Sequence, residues 1–274
     1  MFVWLGQTQL MGYSRSMSIE LYRKFTEHLP STESIGEIVP YRWWEIQGTL
    51  CASRMPYVEM LQDFGYGLAN SINGFTLGVR RVKAWQQVFS ALETEEEQHS
   101  LIQEFIDAPM TLALLTPYVL RSRFLFASAH LCHQLNLRRG VNWSEEKLPS
   151  DDEIYFNTAD VQGRPWARYA GLKLSLEKLG NKEFQGATQD FRNAFSHRFS
   201  PRVGFGITNF VSRQKDPKSG AMFYSFGGTL PFDLEHTIEL LVVELGKCYA
   251  AYSSFRALAG EHTAYILEAD AARN

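Results

Sequence analysis

Cysteine is scarce in this chain of 274 residues, and its three copies, Cys51, Cys132 and Cys248, stand far apart without a Cys-x-x-Cys pair. An odd, scattered set argues against a disulfide framework or a zinc knuckle and predicts a reducing compartment. Long apolar runs are also missing. The most apolar stretch, residues 108 to 120, contains Pro109 and Pro117 and runs into Arg121 and Arg123. It falls short of the ~20 apolar residues that a membrane-spanning helix needs. Residues 1 to 5 are apolar but lack a basic leader, a poor match to a secretory signal. The expectation is a soluble cytoplasmic protein with no membrane contact. There is no excess of positive charge either. The formal net charge is −3 and the pI is near 6.2, so any nucleic-acid contact has to be local. Internal repeats and low-complexity tracts are absent.

What is present is ordinary for a globular protein, with 45% hydrophobic and 21% charged residues. The length suffices for one large or two small domains. Most of it carries helical periodicity. Ser18 to His28 reads as a short helix closed by Pro30. Tyr41-Arg42-Trp43-Trp44 reads as an aromatic cluster able to stack bases, for which an anchor pinning an N-terminal arm to the core is the preferred reading. Tyr57, Met60, Leu61, Phe64 and Leu68 recur at helical spacing up to a break at Asn73-Gly74, and Leu77 to Leu92 trace a second helix. Thr94 caps a third, whose first turn is Glu95-Glu96-Glu97. Residues 108 to 139 make one long helix, or two joined near Pro117. The polar stretch 141 to 164 is the longest expected loop.

Pro165 is expected to open the next helix, and Gly180-Asn181 to turn the chain into an amphipathic helix with Phe184, Ala187, Phe191, Ala194 and Phe195 on its apolar face. After Pro201 two β-type runs, residues 203 to 212 and 221 to 226, flank the turn sequence Asp216-Pro217-Lys218-Ser219-Gly220, which predicts a hairpin. Pro231 and Asp233 start a long final helix. The expected fold is therefore all-α, a helical bundle with long antiparallel helices and one small β-hairpin insertion after the motif helix. An N-terminal arm would occupy residues 1–50 and a helical domain residues 51–274, with the hairpin at about 203–227.

Several familiar arrangements do not survive inspection. His130-Leu131-Cys132-His133 sits in a helix that reads as buried, so packed core histidines are preferred to a metal site. Gly65-Tyr66-Gly67 and Gly204-Phe205-Gly206 lack the strand-to-helix context of a phosphate loop. Glu261-His262 has no second histidine at metalloprotease spacing, and Ser196 has no nucleophile elbow around it. No metal and no cofactor is expected.

Chemistry concentrates in Phe191-Arg192-Asn193-Ala194-Phe195-Ser196-His197 and the following Arg198-Phe199-Ser200-Pro201-Arg202, where the helix must stop. From Gln185 to Gly220 six cations face two carboxylates, a local formal +4 in an acidic protein. A guanidinium at Arg192 can fork two donors onto a phosphate and offset growing charge. The imidazole of His197 can take a proton from a ribose 2′-hydroxyl or return one to a leaving oxygen. Asn193, four residues before His197, shares its helix face and can orient it or hold a phosphate oxygen. Arg192 and His197 diverge by about 140° on an unbroken helix, so they converge only if the helix distorts or a second copy contributes its own pair. A purely structural use stays open as well, with Arg192 bridging to Asp190 or a helix end and His197 capping carbonyls.

An Arg followed by His, with four to six residues between, occurs at Arg23 to His28, Arg123 to His130, Arg192 to His197 and Arg256 to His262. Only the third has Asn directly after the Arg. Arg192-Asn193-Ala194-Phe195-Ser196-His197 resembles the signature of the HEPN superfamily, helical-bundle proteins that include many RNA-cleaving toxins. The resemblance implies a metal-independent endoribonuclease acting as a symmetric homodimer and leaving a 2′,3′-cyclic phosphate. Arg192, His197 and Asn193 would be catalytic, and Arg198, Arg202 and Ser196 would bind substrate. RNA would be the substrate, and an antitoxin or other protein partner would fit a toxin or defence setting. The alternative is a non-catalytic HEPN-like helical module for dimerisation or for binding a nucleotide or protein.

Overall fold

Local sequence signals place many of the helix ends. Thr94 stands in extended backbone, its hydroxyl accepts from the Glu97 N–H and donates to the Glu97 carboxylate at 2.8 Å, and the helix Glu95–Leu101 follows. Asp233 does the same for the last helix, accepting from the His236 N–H at 2.8 Å. The computed structural model describes residues 7–44, 54–140 and 143–271. The expectations for residues 1 to 5 and for Cys51 lie outside the described residues.

In chain order the helices are α1 (Gln7–His28), α2 (Met55–Ser90), α3 (Glu95–Leu101), α4 (Asp107–Arg139), α5 (Phe156–Gly163), α6 (Tyr169–Lys178), α7 (Lys182–Ala187), α8 (Phe191–His197) and, after the hairpin, α9 (Leu234–Ala271). A π-helical turn, Ile102–Ile106, joins α3 to α4. The strands β1 (Val211–Lys215) and β2 (Met222–Phe226) pair antiparallel. The fold is all-α with one small hairpin, as expected from the sequence. No helix among the described residues is long and apolar enough to cross a membrane.

Five local expectations need correction, besides the short helix read from Ser18, which begins already at Gln7. The break at Asn73-Gly74 does not occur, because α2 runs through both. The Asn73 amide instead accepts from Val39 N–H and donates to Val39 C=O, pairing side chain to backbone as a strand would. Residues 156 to 163, assigned to a loop, form α5, preceded by two short 3-10 turns. Pro165 does not open α6, which begins four residues later. Glu261 accepts from Ala167 N–H and Arg168 N–H at 2.8 Å each and so caps that start. The strands of the hairpin are shorter than predicted, and residues 203 to 208 make only isolated bridges at Val203 and Thr208.

The fifth correction touches the motif. The single amphipathic helix expected from Phe184 to His197 is two short helices, α7 and α8. Gln189 and Asp190 between them are both left-handed, with φ of 50° and 55°. A left-handed conformation costs a non-glycine residue on the order of 1–3 kcal/mol. Ala187 and Phe195 consequently turn to solvent, while Phe191 and Ala194 stay buried.

Contacts gather into two units, each built from three stretches of chain. The first comprises residues 1–36, 77–115 and 185–242. In it Trp85 stacks with Phe25 and with Phe105, both at 4.3 Å between centroids, and Phe191 packs on Phe232. The second comprises residues 37–76, 116–184 and 243–274. There Trp43 donates to Tyr252 Oη at 2.8 Å, and Trp44 lies edge-on to Tyr66. A Cβ on Gly65 would stand 2.2 Å from the Trp44 ring, so glycine is what lets the aromatic segment dock on α2.

Candidate functional site

The motif helix α8 is held in the first unit by Phe191 and Ala194, 2% and 6% exposed, with Phe191 also stacked on Phe195. That anchorage sends Arg192, Asn193, Ser196 and His197 into solvent. α8 is regular through His197 and stops at Arg198, whose backbone is extended and whose N–H closes on the Ala194 carbonyl at 2.8 Å. The helix does not distort within the motif. Arg192 and His197 therefore leave it about 140° apart, as five-residue spacing dictates.

Asp190 organises what precedes and follows the helix. Its carboxylate accepts from Gln185 at 2.6 Å, Asn193 at 3.2 Å and Arg198 at 3.0 Å. These donors, Gln185 foremost, hold the carboxyl below the usual carboxylate range despite some desolvation. Asn193 and Arg198, expected to orient His197 and to bind substrate, thus spend donors within the chain. No hydrogen bond or ion pair engages His197 among the described residues.

A cavity of about 460 Å³ opens between the end of α8 and β1, lined by Gln189, Arg198, Phe199, Asn209, Arg213 and Thr229 among others. Of the six expected site residues it takes in Arg198 alone. Arg192, Asn193, Ser196 and His197 lie on exposed parts of α8. Arg202 is exposed, and its carbonyl accepts from Phe232 N–H at 2.8 Å. Phe199, 79% exposed, and Arg213 are the additions to the site that the motif did not signal. Asn209 shapes the wall. It is left-handed at φ 55°, and its amide donates to the Phe199 carbonyl at 3.2 Å and to the Thr229 hydroxyl at 3.1 Å.

The second unit holds groups that look catalytic by residue type alone. His262, fully buried, meets the Tyr57 hydroxyl at 2.9 Å and the Cys132 sulfur at 3.7 Å. Burial, helped by the charge of Arg139, pushes its pKa down to about 3, and burial pushes the Cys132 thiol far up. Both are neutral, and no open surface reaches either. His133 is buried against Gln162 and Glu145, at 3.3 Å from each. His130 stands 3.2 Å from Asp151 without the alignment of a hydrogen bond. Among the described residues no group of three or more His, Cys, Asp or Glu side chains is placed to hold a metal ion.

Compared with family models, with curated proteins and with solved structures, the chain finds no match.

Proposed function

We propose that this chain is a metal-independent endoribonuclease of HEPN type that works as a homodimer. The observation that carries the reading is the regular course of α8 with Arg192 and His197 both exposed, 140° apart, on a helix anchored by its opposite face. One chain then offers one of the two groups to a given phosphate, and a second copy offers the other. His197 removes the proton of the ribose 2′-hydroxyl, whose oxygen attacks phosphorus. Arg192 offsets the charge that builds on the phosphate oxygens. The 5′-oxygen leaves with the electron pair of its bond to phosphorus and takes a proton from water, and the His197 imidazolium returns its proton to solvent. The products are a 2′,3′-cyclic phosphate and a 5′-hydroxyl. The basic residues beyond α8 would meet the flanking backbone.

A second reading has its own support. Asn193 and Arg198 are bound to Asp190, which favours a non-catalytic module that uses this surface for a partner. Mixed RNA incubated in EDTA separates the two. Under the first reading the wild-type protein cuts and leaves cyclic phosphate ends, whereas Arg192→Ala and His197→Ala do not. Co-expressed Arg192→Ala and His197→Ala chains regain part of the activity in the heterodimer, because one intact Arg and one intact His then meet from different chains. Equal cleavage by wild type and variants, or none by any, would remove the nuclease reading.

A further inference from the structure

Large apolar side chains exposed to solvent crowd into one part of the first unit. Phe195, Phe199, Ile207, Phe210, Val211, Met222, Phe223, Tyr224, Phe226 and Leu230 all lie within 36 residues of sequence, and each is at least 45% exposed. Exposed apolar patches of this kind mark a surface that meets something. The hairpin at their centre is two five-residue strands with little burial on either face. Such a pair is marginal in water by itself.

The register sorts its side chains. Val211 faces Phe226, Arg213 faces Tyr224 and Lys215 faces Met222 across the ladder, and with a period of two these six share one face. That face carries its cations, Arg213 and Lys215, on β1 and its rings, Tyr224 and Phe226, 73% and 85% exposed, on β2. Tyr224 and Phe226 are two residues apart, so their attachment points are about 7 Å apart along the strand. Successive bases of an extended strand can each find a ring at that spacing, while phosphates reach the cations on the neighbouring strand.

Charge selects the occupant. Residues 198 to 230 hold five cations, Arg198, Arg202, Arg213, Lys215 and Lys218, against the single carboxylate of Asp216. Asp216 is committed to its own turn, accepting from Lys218 N–H at 2.7 Å and from the Ser219 hydroxyl at 2.8 Å. A second copy docking by the same face would bring Arg213 and Lys215 against themselves with no carboxylate to answer them. A polyanion with flat apolar groups suits the face on both counts. We propose that the Arg213–Lys215–Tyr224–Phe226 face of the hairpin binds single-stranded polynucleotide, bases stacking on Tyr224 and Phe226 and phosphates meeting Arg213 and Lys215. A duplex presents the same phosphates but keeps its bases stacked within, so the single strand is preferred.

The experiment reads binding in protein carrying His197→Ala, so that no RNA is cut and the outcome does not depend on the nuclease reading. Fluorescence anisotropy follows a labelled twelve-nucleotide oligouridine, its DNA counterpart and a duplex of the same length. Tyr224→Ala with Phe226→Ala should weaken single-strand binding by at least about tenfold, from the stacking lost at two bases. Arg213→Ala with Lys215→Ala should weaken it and flatten its salt dependence. RNA and DNA arms report whether the ribose contributes. These positions are exposed, so thermal unfolding should be unchanged and loss of binding will not reflect loss of fold. Duplex bound as tightly as single strand, or unaltered affinity in both double variants, overturns the proposal. So does conversion of a dimer to a monomer by Tyr224→Ala with Phe226→Ala while RNA binding persists, which assigns the face to a second copy.

Discussion

His262 and His197 lie in different units of the chain and meet water on opposite terms. His262 has the neighbours a chemist looks for, a thiol at 3.7 Å and a phenol at 2.9 Å, yet burial keeps imidazole and thiol uncharged. A thiol must ionise to act as a nucleophile, and a base must be able to accept a proton near neutral pH. The cluster is a hydrogen-bonded core, with the Trp166 ring 4.2 Å from the imidazole and Arg139 over that ring at 4.7 Å. His197 has fewer neighbours and more opportunity. It is exposed at the end of a helix, beside a basic surface. The chemical use of a side chain follows its access and its charge state, and proximity to other reactive residue types is insufficient.

Substitution of the two histidines is the sharpest way to break that comparison. On the proposed ribonuclease function, His197→Ala should lower RNA cleavage by about 10²–10⁴-fold, the usual contribution of a positioned acid–base group. It should leave the urea midpoint nearly unmoved, because exposed substitutions stay within about 0.5 kcal/mol. His262→Ala should do the reverse. It opens a cavity under Trp166 and strands the Tyr57 hydroxyl, for a loss of about 3 kcal/mol read by urea unfolding. An exchange of these two outcomes would reverse the assignments.

Acid sharpens it next. The folded pKa of His262 is depressed to about 3, so as pH falls the unfolded chain takes up this proton first. The stabilisation is complete above about pH 6.5 and is lost progressively as pH falls from there toward 3, at up to about 1.4 kcal/mol per pH unit. Urea midpoints at pH 7.5, 5.5 and 4.5 should show that slope, and His262→Asn should flatten it.

The smallest effect belongs to Asp190. Its pairing with Arg198 is largely solvent-exposed, so Asp190→Asn should change stability by less than about 1 kcal/mol. The same change removes the carboxylate paired with Arg198, which lines the cavity at the end of α8, and should tighten RNA binding measured by anisotropy. Weaker binding would show that Asp190 orders the surface more than it masks it.

Several elements were legible because their signals are local. Thr94 caps the acidic turn that follows it, Asp216 to Gly220 turns the hairpin, and Arg198 to Pro201 ends the motif helix. These depend on the backbone within a few residues, so residue order is sufficient. The break at Asn73-Gly74 failed for a distant reason, the bonding of the Asn73 amide to Val39. The start of α6 likewise waits on Glu261, far along the chain, and no pattern near Pro165 announces it.

By itself the sequence determined the helical character, the hairpin and the single place where Arg, Asn and His recur beside positive charge. Periodicity, turn chemistry and formal charge are properties of short stretches, and they survive whatever the chain packs against. Tertiary structure decided which of those groups are usable. Packing of Phe191 and Ala194 turned the motif outward, and the left-handed pair at Gln189 and Asp190 cut its helix short. Packing also closed His262 and Cys132 away from water and left the Tyr224 and Phe226 rings uncovered. Burial depends on residues remote in sequence, and burial sets both protonation and access.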